Sequence, residues 1–461
     1  MIRFYSTNRG LDGVPGITPF KATVTFGEAL LQGQAPDEGL FMPDRVPEIS
    51  VDEIFRLKNA PYSETALLVA SAFLGEEAAR IGLKDIVEDS YNFEVPLEKV
   101  EDGKFIMRLD RGPTASFKDF AARMMARLMS RYRTPGKRLN VLVATSGDTG
   151  SAVGEAFKGV EGIDVYILYP RDEVSDIQKK QLDTIGGNVR ALSVTGKFDD
   201  CQNLVKQAFS DPDLVKFNLT SANSINFGRI MPQIVYYVYA FARLARPGQG
   251  IVFSVPSGNF GNALGCEYAR RMGLPVDMLL MPTNENDEFP RFLQTGVYEK
   301  ISPSRACLSN AMNVGNPSNL ARFFDLYGGT VDRSGKVHKI PDIAAMKKDI
   351  FSVSVSDTQT KETIKRVYEK FGTVLEPHGA VAWKGLEEYL DRHPGSTGVC
   401  VSLETAHPAK FPEQIIELLG FSPAPPPSMA GIEKRTGMAL PMAAEYGEFK
   451  KFLAASLRET D

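Results

Sequence analysis

Leu142-Val143-Ala144-Thr145-Ser146-Gly147-Asp148-Thr149-Gly150-Ser151-Ala152 reads as an apolar strand that ends in Ser-Gly and passes, across a second glycine, into a helix. The same plan recurs at Phe253-Ser254-Val255-Pro256-Ser257-Gly258-Asn259-Phe260-Gly261-Asn262-Ala263. A strand that feeds a helix through a glycine-bearing turn is the repeating unit of an open parallel sheet. The flanking sequence keeps that alternation, with strands expected at residues 105–109, 139–144, 165–169, 189–194, 251–255, 278–281 and 399–403. Amphipathic helices separate them. Ile364, Val367, Tyr368 and Phe371 fall at i, i+3, i+4 and i+7, and Ser356 with Gln359 forms a capping-box start for that helix. The fold class is therefore α/β, with open, mostly parallel sheets and helices on both faces.

The two matched turns also carry a chemical expectation. Each aims backbone N–H groups and a helix N-terminus at one point, an arrangement that holds phosphate or carboxylate without a charged side chain. At the carboxyl ends of strands in an open sheet, both would lie where ligands bind. A single turn of this kind is common without a ligand; the matched pair is what points to a site. The glycine spacing is not G-x-G-x-x-G and no G-K-[ST] follows, so dinucleotide and P-loop readings match poorly. Asp148 is out of place in an anion cup, and its carboxylate is expected to tie back to neighbouring N–H groups.

Upstream, Arg111-Gly112-Pro113-Thr114-Ala115-Ser116-Phe117-Lys118-Asp119-Phe120 delivers a lysine into the first turn of a helix. From Phe117 the apolar residues Phe120, Ala121, Met124, Met125 and Leu128 continue one buried stripe, with Ser116 as the expected N-cap and Asp119 returning the bond to it. Lys118 meets the positive end of the helix dipole, a cost of roughly 0.3–1 kcal/mol. The bland reading is a first-turn lysine bent out to water. The functional one is a lysine used uncharged, since a nucleophilic amine needs desolvation or a positive neighbourhood.

The remainder of the chain narrows the class of function. With 461 residues, more than one domain is expected. The divisions expected are an N-terminal α+β domain over 1–95, a large domain over 96–138 and 236–421, a smaller α/β domain over 139–235, and a linker with a helical tail over 422–461. The tail follows the proline-rich stretch Ser422-Pro423-Ala424-Pro425-Pro426-Pro427. Other helices are expected to begin at Phe26 and at Tyr62, the latter with Ser63 as cap. A formal net charge of −4 and a pI near 5.8 give no basic field, which argues against nucleic acid. No apolar run approaches the roughly 18 residues that span a bilayer, so no membrane role is expected. The 4 cysteines lack C-x-x-C spacing and the 4 histidines lack metal-ligand spacing, so neither a disulfide framework nor a metal site is expected. His378 and His407 are expected to be structural. A cytoplasmic monomer or homodimer acting on a small molecule fits these features.

A reactive lysine, a cup for a cofactor phosphate and a cup for a substrate carboxylate are together what a pyridoxal-phosphate enzyme requires. Val399-Cys400-Val401-Ser402-Leu403-Glu404-Thr405, a late strand ending in Glu and Thr, offers a partner for the pyridine nitrogen. With these parts assembled, five stretches in order resemble the signatures of the threonine synthase family. They are Gly112 to Phe120, Ala144 to Gly150, Asn223-Ser224-Ile225-Asn226, Val255 to Gly261 and Thr405-Ala406-His407-Pro408-Ala409-Lys410-Phe411. Tyr5-Ser6-Thr7 and Gly39-Leu40-Phe41-Met42-Pro43 are similar to that family as well.

The resemblance implies a fold-type-II, tryptophan-synthase-β-like body behind an N-terminal domain. It implies Lys118 as the residue that carries pyridoxal 5'-phosphate, Gly258, Asn259, Phe260 and Asn262 around the cofactor phosphate, and Thr405 at the pyridine nitrogen. Ser146, Gly147, Asp148 and Thr149 would take the substrate carboxylate. Ser224, Asn226 and Arg229 would take the substrate phosphate, Arg229 by bidentate contacts. The reaction implied converts O-phospho-L-homoserine and water to L-threonine and phosphate. Two departures stand out: many members carry Phe-His before the Gly-Pro-Thr run where this chain has Asp110-Arg111, and there is extra length between Gly10 and Phe26. The first keeps an alternative open, a related phospholyase that ends in a keto acid.

Overall fold

The computed structural model describes residues 1–395, 398–437 and 439–457, so the last four residues of the expected tail lie outside it. Two parallel sheets organise the chain. In the smaller one the strands run Leu440–Ala443, Val189–Thr195, Ile163–Pro170, Leu139–Ala144 and Leu219–Ser221 from edge to edge, every neighbour parallel. Leu139–Ala144 is buried at every position, because helices cover both faces of its sheet. The larger sheet runs Ile350–Phe351, Val276–Leu280, Ile251–Ser254, Val399–Glu404, Lys104–Arg108 and Leu97–Glu101, parallel except for the last pair. Each strand read from the sequence is present, with ends shifted by at most two residues.

The two cup-bearing strands belong to different sheets, Leu139–Ala144 to the small and Ile251–Ser254 to the large. Three helices, Lys118–Tyr132, Met231–Leu244 and Gly261–Arg271, contribute buried side chains to the main core. Phe120 is fully buried among Tyr62, Tyr91, Phe93 and Tyr236. Removing one such ring from water contributes about 1.5–3 kcal/mol.

The stripe Phe120, Ala121, Met124, Met125 and Leu128 is buried as expected, but the start of that helix differs. Phe117 holds the N-cap position with no side-chain cap, while Ser116 Oγ accepts from Lys118 N at 3.2 Å. Asp119 turns chiefly to Thr114, accepting from its backbone N at 2.9 Å and from its Oγ1 at 2.6 Å, with the Ser116 backbone as the weaker partner. The reason is Ala115, whose left-handed φ of 55° folds Thr114 back over the first turn. Gly112 permits it: a Cβ there would sit 2.4 Å from Asp119 Oδ2. Ser63 is likewise not a cap, since Pro61 precedes the helix Tyr62–Leu74 and the serine lies inside it.

At the N-terminus Phe4–Ser6 pairs antiparallel with Phe41–Pro43, and Thr25 makes a capping box with Glu28 ahead of Phe26–Gln32. At the other end Leu440–Ala443 joins the small sheet beside Val189–Thr195. The helix Tyr446–Ser456 follows it, with Phe449 and Leu453 in the same apolar cluster as Leu204 and Val205 of the helix Phe198–Ser210. Lys450 pairs with Asp211 at 2.8 Å and Asp213 at 2.6 Å. Among the described residues no helix is long and apolar enough to cross a membrane.

Candidate active site

Both cups open into one cavity of about 510 Å³, whose wall also holds Lys118, Ser224, Arg229 and Thr405. Lys118 and Thr405 are neighbours because their chain segments pair. Phe117 N donates to Thr405 O at 2.9 Å and His407 N to Ala115 O at 3.0 Å, so the turn before Lys118 is stitched to the chain that leaves Val399–Glu404. The left-handed φ of Ala115 sits inside that seam, a strained backbone held by its surroundings.

The Lys118 side chain keeps 13% of its exposure, and its Nζ lies 4.0 Å from Asp148 Oδ2 and 4.6 Å from the centre of the Phe117 ring. Burial pushes the amine down to about 8; Asp148 opposes this, while Arg229 and Lys410 push the same way as burial. Asp148 does not tie back to backbone N–H groups as the sequence suggested. Its carboxylate meets Lys410 Nζ at 2.6 Å and Gln178 Nε2 at 2.8 Å. Burial alone would raise that carboxyl, but Lys410 and then Lys118 outweigh it and hold Asp148 well below the usual carboxylate range. Lys410 sits in a stretch that the family resemblance includes, yet nothing local in the sequence pairs it with Asp148; the fold does.

Around Asp148, Ser146 and Thr149 face the cavity, whereas Gly147 forms the turn behind them. Its φ of 124° and a Cβ position 2.5 Å from the Gln178 side chain leave room for no other residue. Thr145 Oγ1 accepts from Gly147 N at 3.0 Å and Gly150 N at 2.8 Å, so two of the loop's amides are engaged internally.

At the second cup, Phe260 adopts a left-handed φ of 60° at the start of Gly261–Arg271, and Gly258 passes close to Met312, where a Cβ would come within 2.7 Å of its Cα. Asn259 spends its side chain on Ser224 Oγ at 2.9 Å and on Ser318 N at 2.5 Å, leaving its backbone amide for a ligand. Asn262 Oδ1 accepts from Tyr236 and Tyr237, which fixes the amide so that Nδ2 is a buried donor without a partner. An unsatisfied donor in the first turn of a helix calls for an anionic acceptor. Thr405 Oγ1 lies 3.3 Å from Glu376 Oε1, and Glu376 Oε2 lies 2.5 Å from His378 Nδ1. His378 Nε2 accepts from Ala311 N at 3.1 Å, so the ring proton resides on Nδ1 and is given to Glu376. His407 is neutral, its imidazole pushed down to about 4 by burial. An amine, a helix terminus with a spare amide donor and a hydroxyl thus match the aldehyde, phosphate and ring nitrogen of pyridoxal phosphate in chemical type.

Arg229 is 3% exposed, with Nη1 on Ala222 O at 2.7 Å and Nε without a partner. Burial brings its guanidinium down to about 10, which leaves it cationic at neutral pH. Asn226, expected beside it, does not reach the cavity. Its Nδ2 donates to Leu30 O at 2.8 Å and Ser221 O at 3.0 Å and its Oδ1 accepts from Gly228 N at 2.9 Å, so the amide is consumed in shaping the loop. Two residues with no expected role also shape it. Asn319 Nδ2 donates to Ser224 Oγ at 3.1 Å, and the fully buried Arg322 donates to the carbonyls of Phe41, Ser224 and Ile225. Asp110 turns away from the cavity into a buried pair with Arg108 at 2.5 Å, and Arg111 lies at the surface 3.6 Å from Glu98.

Comparison with known proteins bears on the family and the overall fold. Residues 94–404 match the family described as pyridoxal-phosphate dependent enzyme, residues 19–91 the threonine synthase N terminus, and residues 379–453 the threonine synthase C-terminal family. The threonine synthase of Haemophilus influenzae is 37% identical over 436 residues, covering 94% of this chain and 97% of the relative. That of Escherichia coli K12 is 37% identical over 432 residues, covering 93% and 96%. Among solved structures, Escherichia coli threonine synthase superposes with a TM-score of 0.86 at 34% identity, over 98% of this chain and 100% of that one. Threonine synthase from Brucella melitensis with bound pyridoxal phosphate gives 0.88 at 33% identity, over 99% and 100%. With both anion cups, the lysine and the late-strand threonine gathered at one cavity, the chain belongs to the threonine synthase family of pyridoxal-phosphate-dependent enzymes.

Proposed function

We propose that Lys118 carries the cofactor and that the cavity converts O-phospho-L-homoserine and water to L-threonine and phosphate. The observation that carries this reading is the opening of two anion cups, from two sheets, onto the largely buried Lys118. Gly258, the amides of Asn259 and Phe260, and Asn262 Nδ2 hold the cofactor phosphate, and Thr405 meets the ring nitrogen. Ser146 and Thr149 with their loop amides hold the substrate carboxylate. Arg229 and Ser224 receive the substrate phosphate; among the described residues no carboxylate forms a salt bridge with this buried guanidinium, a charge the protein leaves for a ligand. Asn226 supports them from behind, and Asp148 serves Lys118 rather than the substrate.

When bound, pyridoxal phosphate draws electron density from the substrate's Cα, which makes the Cα and Cβ protons removable and lets phosphate leave from Cγ. Lys118, freed as an amine, would take the Cα proton and hand it on to the bound cofactor, which frees its lone pair to take a Cβ proton and deliver it to Cγ, and would at the end restore the proton at Cα. One tethered base reaching three adjacent carbons replaces three separate catalysts. Burial, with Arg229 and Lys410, lowers its proton affinity, which suits an amine that must both accept and release protons. Water must stay out until phosphate has left and then add at Cβ, which fits closure of the segment 139–235 over the cavity.

The phospholyase alternative loses its structural motive, because Asp110 is tied to Arg108 and neither Asp110 nor Arg111 lines the cavity. Incubation with O-phosphohomoserine and amino-acid chromatography tests the choice: threonine and phosphate are expected. Keto acid and ammonia without threonine would refute the synthase reading. Borohydride reduction and peptide mapping should find the cofactor on Lys118.

A further inference from the structure

Lys410 is a second buried cation at this site, with no assigned part in the reaction. It is fully buried, with its ammonium 2.6 Å from Asp148 Oδ1 and donating to Thr114 O at 3.0 Å. An ammonium removed from water persists only when paired and hydrogen-bonded. Gln178 Nε2 reaches the same Asp148 oxygen at 2.8 Å, so Oδ1 is engaged from two sides while Oδ2 faces Lys118 Nζ across 4.0 Å. One carboxylate thus bridges two amines, one sealed in the interior and one open to the cavity. The charged groups that face Lys118 are Asp148, Arg229, Lys410 and Glu376; Asp119 also acts on Lys410.

We propose that Lys410 is a positioning residue for Lys118: its fixed ammonium holds Asp148 in place and takes up enough of that carboxylate's charge for Lys118 to release its proton. The proposal rests on the reading of Lys118 as the cofactor-bearing amine. With Lys410 absent, Asp148 would have Lys118 as its one close cation. A buried amine beside an uncompensated carboxylate stays an ammonium, which has no lone pair with which to attack a carbonyl or accept a proton. Arg229 and Glu376 act on Lys118 from other sides and stay unchanged in the comparison.

The test reads the Lys118 amine without cofactor or substrate. The full chain and its Lys410→Met and Lys410→Arg variants are labelled with acetic anhydride across a pH series, and modification of each lysine is followed by peptide mass spectrometry. Exposed Lys58 and Lys348 serve as references. In the unaltered chain Lys118 should label with a midpoint about one unit or more below the references, while Lys410 stays unlabelled in the folded protein. Lys410→Met should raise the Lys118 midpoint by about one unit or more, and Lys410→Arg, which keeps the charge, should restore it to near the unaltered value. A Lys118 midpoint that stays put or falls in Lys410→Met overturns the proposal, as does an equal shift in both variants. Should the Met variant not fold, the unaltered chain decides: labelling of Lys410, or a Lys118 midpoint equal to the references, overturns it. Absence of threonine formation with labelling as expected would refute the functional reading instead and leave the Lys410 pair standing.

Discussion

Replacement of Arg229 by methionine separates binding from folding at this site. The guanidinium is 3% exposed, spends Nη1 on one carbonyl, Ala222 O, and leaves Nε unpartnered. Folding therefore gains little from it: one charge-assisted bond to a carbonyl, worth about 1.5–3 kcal/mol, is set against the desolvation of a whole cation. Methionine fills similar volume without that desolvation, so the net change in stability should lie within about 1 kcal/mol of zero. Binding should behave otherwise. If Arg229 meets the substrate phosphate in a dry cavity, truncation removes a desolvated charge pair worth about 2–5 kcal/mol, or roughly 30-fold to several thousand-fold in kcat/KM. The substitution also removes a cation that lowers the Lys118 amine, so in the cofactor-free chain that amine should titrate at a higher pH. The assay is kcat/KM for O-phosphohomoserine across pH, inhibition by inorganic phosphate, and thermal unfolding of the cofactor-free chain. An Arg229→Met protein with unchanged kcat/KM and undiminished phosphate inhibition would refute the assignment. Loss of several kcal/mol of stability would show that the guanidinium is structural.

Other outcomes follow from the same geometry. Phe120→Ala removes a fully buried ring from the aromatic cluster around Tyr62 and Tyr91 and should destabilise by about 3–5 kcal/mol in denaturant unfolding. Gly112→Ala places a methyl 2.4 Å from Asp119 Oδ2 and should break the Thr114–Asp119 bonds, weakening cofactor retention, read from the visible absorbance after gel filtration, more than it lowers the melting temperature. In the cofactor-free chain, the Lys118 amine is lowered to about 8 against about 10.4 unfolded. The unfolded chain therefore binds more protons between those values, so this residue's contribution to stability should rise with pH across that window and be fully unfavourable below it, by about 3 kcal/mol. Comparison of Lys118→Met with the unaltered chain in unfolding experiments at about pH 7 and 10 isolates this contribution, and a difference independent of pH would contradict it. Leu453→Ala should cost about 2–5 kcal/mol, because the C-terminal helix packs against Phe198–Ser210 rather than trailing free.

Local chemistry was enough to specify much of this protein. The parallel strands are legible because strands buried on both faces must be apolar throughout, and the cups because a strand-to-helix turn that offers amides to an anion needs glycine at set points. The stripe on Lys118–Tyr132 follows from helical period alone. What the sequence left undecided is the pairing of buried polar groups. Asp148 meets Lys410 rather than nearby amides, Asp119 bonds Thr114 more strongly than Ser116, Asn226 turns inward to Leu30 and Ser221, and Asp110 retreats to Arg108. In each case a polar side chain taken out of water must find its partner among the groups the fold brings near, and those come from other elements or depend on one left-handed residue, Ala115. Lys118 itself shows both halves. Its place at the start of a helix is written in the ten residues around it, whereas its lowered proton affinity belongs to the burial, and to Asp148, Arg229 and Lys410, that the tertiary structure assembles around it.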